Sequence, residues 1–388
     1  MNIAILIPTL GMGGAERAAV QIGSYYHDRG DQVYYFLFAN CGQIFFPTKG
    51  KIVKTHVFFP FLSENYSENI REMLFAAKAY KKLKQKYQID VAISFMEACN
   101  YINVCSKGKE KVYVSVRTVL SERTECSGFL YDKQWIRRLY RCADKVIAVS
   151  NYVKNDLIER YKISDKKVVV IPNVSVCHKS PHPPIMPWGY GNKAVVCVGR
   201  LDPVKRHERI IRAFSYVYEE QPEAKLIIVG DGKQKNYLTA VCQKMGLEKG
   251  VFFAGAAVDV GYYLQHADVF VMASRVEGFP NAMVEAMAYG LPVVTTDSPG
   301  GCGEIVGKER SSDEIQYCEY GILTPRMEGK ASGQEQLLKE EELLGMGMLA
   351  LLEDNALHQE YSEKARKRAE DYGEEKIMPL WDAIASGN

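Results

Sequence analysis

The sequence predicts an α/β protein built as two Rossmann-like, doubly wound domains, and three observations carry that reading. At 388 residues the chain is too long for one ordinary core and suits two. Short apolar runs alternate with longer amphipathic stretches along its length, the pattern of parallel sheets covered by helices. Between two sets of such runs lies His178 to Asn192, holding Pro181, Pro183, Pro184, Pro187, Gly189 and Gly191. Neither helix nor strand tolerates that density of proline and glycine, so the stretch reads as a linker.

The strands expected in the first half are Asn2–Ile7, Gln32–Phe38, Val91–Phe95, Lys111–Val116, Lys145–Val149 and Val168–Ile171. In the second half they are Ala194–Val198, Lys225–Val229, Val251–Ala254, Val269–Met272 and Pro292–Thr296. Each half then has five or six strands, enough for its own sheet. The expected domains are 1–178 and 193–370, joined by the linker 179–192. From Gln334 to Trp381 the composition, rich in Glu, Lys, Leu and Ala, is helical.

With 47% apolar and 25% charged residues and a net charge of +2, the composition is that of a soluble globular protein. No apolar run approaches the roughly 18–20 residues of a membrane span. The opening Met1–Pro8 lacks a basic region and reads as a buried strand, not a signal peptide. Ten scattered cysteines without a C-x-x-C pair fit thiols in a reducing compartment, so a cytoplasmic protein is expected.

The net charge conceals an asymmetry. Residues 1–178 carry 26 Lys and Arg against 16 Asp and Glu, and the remainder 23 against 31. Two basic stretches dominate the first half. Arg71 to Lys86 reads equally as a solvated helix face. Arg123 to Lys145 interleaves Phe129, Leu130, Tyr131, Trp135, Leu139 and Tyr140 with Lys133, Arg137, Arg138 and Arg141, as an interfacial helix beside anionic lipid does. A peripheral position on the inner face of the plasma membrane is therefore expected. No base-reading motif accompanies these cations, so a nucleic-acid partner is not.

Ligands of open parallel sheets bind beyond the carboxyl ends of the strands, and four motifs fall there. After the first strand comes Pro8-Thr9-Leu10-Gly11-Met12-Gly13-Gly14-Ala15-Glu16-Arg17, where glycines admit a close ligand and a helix N-terminus faces it. It is no P-loop, and Glu16 at the third glycine position breaks the dinucleotide fingerprint. A plain tight turn is the alternative. The turn Val198-Gly199-Arg200-Leu201-Asp202-Pro203-Val204-Lys205 offers Arg200 and Lys205, a planar fork and a point charge suited to a diphosphate, unless both are solvated surface cations. Gly230-Asp231-Gly232 reads as a structural turn.

The fourth motif runs from Ser274 to Gly290 and says most. A Gly/Pro turn leads into a helix expected to begin at Pro280 or Asn281. Glu285 then lies in its second turn among Ala282, Met283, Val284, Ala286, Met287 and Ala288. A carboxylate on so apolar a helix needs hydrogen-bond donors, and the vicinal hydroxyls of a ribose would supply two. Glu277 precedes the helix, whose free amides suit a phosphate or a sugar hydroxyl. The alternative is that Glu277 caps locally and Glu285 reaches solvent.

Glu277 and Glu285, in the setting E-G-F-P-N-x-x-x-E-A-M-A-x-G-x-P-V, resemble the signature of retaining glycosyltransferases with the GT-B fold. More narrowly the chain resembles the family 4 type, which includes phosphatidylinositol mannosyltransferases and O-antigen, capsule and N-glycan sugar transferases. The resemblance spans almost the whole chain: Gly13–Arg17, Ala148–Asn151, Ile171–Val174, Val198–Leu201, Gly230–Gly232, Ser298–Gly301 and Gly321–Leu323 follow in the family's order. It implies two domains facing a central cleft, with a C-terminal helix, about 371–388, returning to the first. It implies that Arg200 and Lys205 hold the diphosphate and Glu285 the ribose. Glu277 with Gly278, Phe279, Pro280 and Asn281 would cradle sugar and phosphate, Gly13 and Gly14 would close over the phosphates, and Glu277, Arg200 and Lys205 would carry catalysis. Neither metal nor cofactor is implied, because cations and helix dipoles neutralise the leaving diphosphate.

One residue departs from the pattern. Where many members place a histidine, Val114-Ser115-Val116-Arg117-Thr118 puts Arg117, which resembles a subgroup acting on lipid-linked acceptors. Arg117, with Glu16, would then face the acceptor, or Arg117 would simply pair with a nearby acid. The expected donor is a nucleotide diphosphate sugar, with UDP suggested by Ser298-Pro299-Gly300-Gly301 and Glu304. The expected acceptor is a polyprenyl-diphosphate-linked or other glycan. Competing readings are a non-hydrolysing nucleotide-sugar epimerase, an NAD-binding oxidoreductase, and a non-catalytic lipid- or sugar-binding protein.

Overall fold

A computed structural model of the chain describes residues 1–38, 42–55, 65–123, 128–175, 193–257, 259–308, 312–329 and 336–386. The expected linker 179–192 lies outside the described residues. The chain divides into two compact units, Met1–Val174 with Glu374–Asn388, and Ser175–Gly373.

The first unit carries β1 (Asn2–Leu6), β2 (Gln32–Leu37), β3 (Lys51–Lys54), β4 (Val91–Phe95), β5 (Lys111–Val116), β6 (Lys145–Ala148) and β7 (Val168–Val170). All pair in parallel, in the order 3-2-1-4-5-6-7. Every residue of β4 is buried, as a strand covered on both faces requires. Its helices are α1 (Gly14–Asp28), α2 (Tyr66–Lys86), α3 (Glu97–Cys105), α4 (Lys133–Tyr140) and α5 (Asn151–Glu159). Strand order reverses between β1 and β4, which places a ligand crevice at the carboxyl ends of those strands.

The second unit repeats the plan with β8 (Ala194–Val198), β9 (Lys225–Val229), β10 (Val251–Gly255), β11 (Val269–Met272), β12 (Val293–Thr296), β13 (Gln316–Tyr317) and β14 (Ile322–Thr324). The order is 10-9-8-11-12-14-13, with only β13 antiparallel. Helices α6 (His207–Glu220), α7 (Lys235–Lys244), α8 (Gly261–Leu264), α9 (Asn281–Ala288), α10 (Cys302–Val306), α11 (Lys339–Glu353) and α12 (Asn355–Ala369) cover it. Here the reversal falls between β8 and β11.

The last helix, α13 (Glu374–Ser386), belongs to the first unit. Ile377, Met378, Trp381 and Ile384 are buried. Tyr25 Oη donates to Asp382 Oδ2 at 2.7 Å, and Lys111 Nζ to the Ala385 carbonyl at 3.1 Å.

Three strands lie beyond the sequence reading: β3, β13 and β14, of two to four residues each. Both sheets are therefore seven-stranded, not five or six. Segments that short show no periodicity, and only pairing with a neighbour defines them.

The aromatic stretch read as an interfacial helix is a core element instead. Phe129, Ile136 and Tyr140 are buried. Phe129 packs against Tyr101 (5.6 Å) and Trp135 (5.3 Å), and Tyr101 against Tyr140 (6.3 Å). Phe129 and Tyr140 face inward because α4 packs beside α3; Trp135 is half-buried, and Lys133, Gln134, Arg137 and Arg138 are left to water. No described helix is long and apolar enough to cross a membrane. The seven described cysteines are free thiols.

Candidate active site

In the second unit, loops leaving β8, β11 and β12 at their carboxyl ends bring one cation and one carboxylate together. After β8, Asp202 Oδ1 accepts the amides of Val204 (3.1 Å) and Lys205 (3.3 Å), with Pro203 in the first position of the turn. That cap fixes Lys205, whose Nζ donates to Glu277 Oε1 at 2.5 Å. Ser274 Oγ donates to the same oxygen at 2.7 Å. Arg200 stands apart: its side chain is 78% exposed and lies 3.1 Å from Asp202 Oδ2. An exposed guanidinium on a loosely held stem can swing to an incoming anion at small cost.

Backbone stitching sets the position of Glu277. Its amide donates to the Pro299 carbonyl (3.0 Å), and its own carbonyl accepts from Gly301 (3.2 Å). Ser298 Oγ donates to the Ser274 carbonyl, tying the same two loops a second time. Between them Gly300 has φ +125, and a Cβ there would lie 1.4 Å from the Glu277 carbonyl oxygen. Only glycine fits. Gly300→Ala is expected to destabilise the protein by about 2 kcal/mol or more, from strain and backbone overlap together. Gly329, at φ +64 with open space around its Cβ position, is the control. There alanine should cost only about 1–2 kcal/mol. Denaturant unfolding of both variants checks the difference.

Helix α9 begins at Asn281. The Asn281 amide donates to the Phe279 carbonyl (3.0 Å), so it is not open to a ligand as the sequence suggested. Pro280 has no amide to give. The amides of Gly278 and Phe279 have no hydrogen-bond partner among the described residues, which narrows the expected cradle to these two. The Phe279 ring is held edge-on by Tyr372 at 5.2 Å. Glu285 is buried in the second turn of α9.

In the first unit, Gly13 precedes α1 and Gly14 opens it. A Cβ on Gly13 would lie 2.0 Å from Glu16 Oε2, so glycine makes room for that carboxylate at the helix N-terminus, where negative charge is favoured. Thr9 Oγ1 donates to Glu16 Oε1 at 3.3 Å. Arg117, at the carboxyl end of β5, donates to Ser115 Oγ (3.2 Å) and to Asn173 Oδ1, with its guanidinium over the Phe95 ring at 5.5 Å. None of these partners is an acid, so the expected alternative of a pairing carboxylate is not what holds it. Burial pushes the Arg117 guanidinium down to about 9, and it stays a cation at neutral pH. It lines a recess with Gln21, Ile22, Asn173 and Trp381.

Sequence reasoning passed over several residues of these sites. Asp202, Ser274, Ser298 and Asn173 all stood inside the quoted motifs; the side chains of Asp202 and Ser274 act within their own loops, whereas Ser298 and Asn173 meet partners 24 and 56 residues away. Met96, exposed and at φ +72 directly after β4, carried no signal at all. A non-glycine residue there costs roughly 1–3 kcal/mol, and such strain clusters at functional sites. Among the described residues, no three His, Cys, Asp or Glu side chains gather to hold a metal ion.

Comparisons with known proteins bear directly on this geometry. Residues 12–174 match the family model described as Glycosyltransferase Family 4, and residues 184–316 that of Glycosyl transferases group 1. Together the two models take in most of both units. The chain belongs to the family 4 glycosyltransferases. Among relatives of this glycosyltransferase, an uncharacterized glycosyltransferase of Methanocaldococcus jannaschii is 32% identical over 263 residues, 64% of each chain. The match thus spans less than two thirds of that relative's length. The N-acetylgalactosamine-N,N'-diacetylbacillosaminyl-diphospho-undecaprenol 4-alpha-N-acetylgalactosaminyltransferase of Campylobacter jejuni is 28% identical over 320 residues, 81% of each chain. Anabaena Alr3699/HepE, solved in complex with UDP, superimposes with a TM-score of 0.74 over the full length of both chains at 21% identity. That likeness shows the fold, and the fold is GT-B.

Proposed function

We propose that this glycosyltransferase moves a hexose or N-acetylhexosamine from a UDP-linked donor to a lipid-linked or other glycan acceptor, with retention of configuration, in cell-surface polysaccharide synthesis. The observation that carries the proposal is the Lys205–Glu277 pair, fixed by Ser274 and the loop after β12, with buried Glu285 eight residues on. UDP in the Anabaena structure supports the donor. The diphospho-undecaprenol in the Campylobacter relative's name supports a lipid-linked acceptor. Both family models are glycosyltransferase models, which leaves the epimerase and oxidoreductase readings without support.

In this mechanism the acceptor hydroxyl oxygen bonds to the anomeric carbon as that carbon's bond to the diphosphate oxygen breaks. The hydroxyl proton passes to the leaving phosphate on the same face, so no side chain acts as nucleophile. Lys205, Arg200 and the amides of Gly278 and Phe279 meet the negative charge that grows on the diphosphate, without metal or cofactor. Glu277 orients Lys205 and accepts from sugar hydroxyls. Gly13 and Gly14 let backbone approach the phosphates. Arg117, with no acidic partner among the described residues, meets an acceptor phosphate, and Glu16 an acceptor hydroxyl.

Glu285 tests the donor assignment. Glu285→Gln keeps the shape and one acceptor but cannot accept two ribose hydroxyls with a full charge. Charge-assisted hydrogen bonds are worth about 1.5–3 kcal/mol, so donor affinity by calorimetry should fall roughly ten- to a hundredfold while the fold is kept. Unchanged UDP affinity in a folded variant would remove the ribose role.

A further inference from the structure

The open amides of Gly278 and Phe279 can meet a diphosphate only if their peptide planes are held at one angle. Neither is tied down through a hydrogen bond of its own among the described residues. What fixes Phe279 is its side chain. The ring is buried, and the Tyr372 ring meets it edge to face at 5.2 Å, with 71° between the planes. Which side-chain rotamers are allowed depends on the backbone angles, so a ring confined in this way also confines the direction of its own N–H.

Tyr372 is itself held, by groups far from the cradle in sequence. Its carbonyl accepts the Ser175 amide at 2.8 Å. The Arg368 guanidinium lies over its ring at 5.1 Å and over the Tyr320 ring at 4.9 Å. Arg368 donates from Nε to the Ile305 carbonyl (3.0 Å), from Nη2 to the Glu304 carbonyl (2.9 Å) and from Nη1 to Asp371 Oδ2 (2.9 Å). The two carbonyls belong to α10, at the end where helix carbonyls lack partners and carry partial negative charge, so a guanidinium fork suits them. At the other end of α10, the Gly301 amide donates to the Glu277 carbonyl at 3.2 Å. A Cβ on Gly301 would lie 3.1 Å from Pro280 Cδ and 3.2 Å from the Gly278 carbonyl oxygen, so the helix start is packed directly on the cradle loop. Arg368 thus grips that loop by two routes: through α10 at its main chain, and through Tyr372 at the Phe279 ring. Every contact of the clamp lies within the second unit.

We propose that Arg368 and Tyr372 are positioning residues for sugar transfer, holding the Phe279 amide at the angle at which it meets the leaving diphosphate. The inference rests on the donor reading above, in which that amide belongs to the cradle, and is independent of the acceptor. The same amide faces the diphosphate before and during bond breaking, so misaiming it weakens donor binding and slows transfer together. The rate suffers more, because the charge the amide meets is greater in the transition state.

Three variants of the full chain test it. Tyr372→Leu fills much of the space but removes the ring, Tyr372→Phe keeps the ring, and Arg368→Lys keeps the charge but loses the planar fork. Turnover of a UDP-N-acetylhexosamine, read as UDP release, should fall roughly ten- to a hundredfold in Tyr372→Leu and Arg368→Lys, the cost of shifting a group at the reacting centre by about 1 Å or less. UDP affinity by calorimetry should fall by a smaller factor in both, and Tyr372→Phe should keep both quantities near parental. Nuclear magnetic resonance of protein isotope-labelled at phenylalanine reads the amide itself: UDP should shift the Phe279 signal in the parent and in Tyr372→Phe, and shift it less in the other two. Urea unfolding shows which variants are folded, and Arg368→Lys carries the test if Tyr372→Leu is not. Parental turnover and a parental UDP shift in a folded Tyr372→Leu or Arg368→Lys overturn this proposal and leave the donor reading standing. So does a loss in Tyr372→Phe equal to that in Tyr372→Leu, since the ring contact survives there. A Phe279 amide that ignores UDP in the parent chain overturns the cradle reading and this proposal with it.

Discussion

Lys205→Ala is expected to lower turnover by about 10²–10³ with a much smaller change in donor affinity. In the ground state the donor diphosphate already carries its charges, and Arg200 and the two open amides can hold them. Further negative charge appears only as the bond to the anomeric carbon breaks, and Lys205 is the cation held in place to meet it, 2.5 Å from Glu277. A lost donor of that kind costs about 2.7–4 kcal/mol in the transition state. A second effect adds to the first, because Glu277 is left with Ser274 as its side-chain donor and no ion-pair partner among the described residues. Lys205→Arg keeps the charge but changes its geometry and should recover only part of the rate. Nucleotide-release kinetics beside calorimetric UDP affinity separate the two quantities. Equal losses in affinity and turnover would mean that Lys205 merely binds.

Glu341→Ala should destabilise the protein by about 3–5 kcal/mol. Glu341 is fully buried at the start of α11. Its Oε1 accepts from Arg209 Nη1 at 2.7 Å and Arg212 Nε at 2.9 Å, and its Oε2 from the Leu338 amide at 2.9 Å. The two arginines lie on α6 and also hold the carbonyls of Glu328 (2.9 Å) and Gln336 (2.6 Å). One carboxylate thus pairs with two buried guanidinium groups and caps its own helix. Removing it strands those charges in a low-dielectric interior, where breaking a buried pair costs that much. The exposed pair Lys339–Glu314, at 2.8 Å, gives the contrast: Lys339→Ala should leave the unfolding midpoint close to that of the parent chain. Urea unfolding of the two variants makes the comparison, and similar midpoints would show that the triad carries no net stability.

The sequence by itself determined what depends on local pattern. Val91–Phe95, Lys111–Val116, Ala194–Val198, Lys225–Val229 and Val269–Met272 are strands at the expected residues, because runs buried on both faces are predominantly apolar. The start of α9 was legible from Pro280-Asn281, and the double-glutamate segment pointed to the family. Tertiary structure decided what depends on which segments meet. No spacing rule places Lys205 on Glu277, since 72 residues separate them and the loops from β8 and β11 become neighbours only through sheet order. Ser298 and Gly300 gain their roles the same way, through the pairing of β11 with β12. Composition did not distinguish the two basic stretches. Both are rich in cations and apolar residues, and only packing shows that Phe129 and Tyr140 face inward while Leu74 and Phe75 face water. A hydrophobic residue's type states that burial is favourable; which surface buries it is settled by the neighbours the fold supplies.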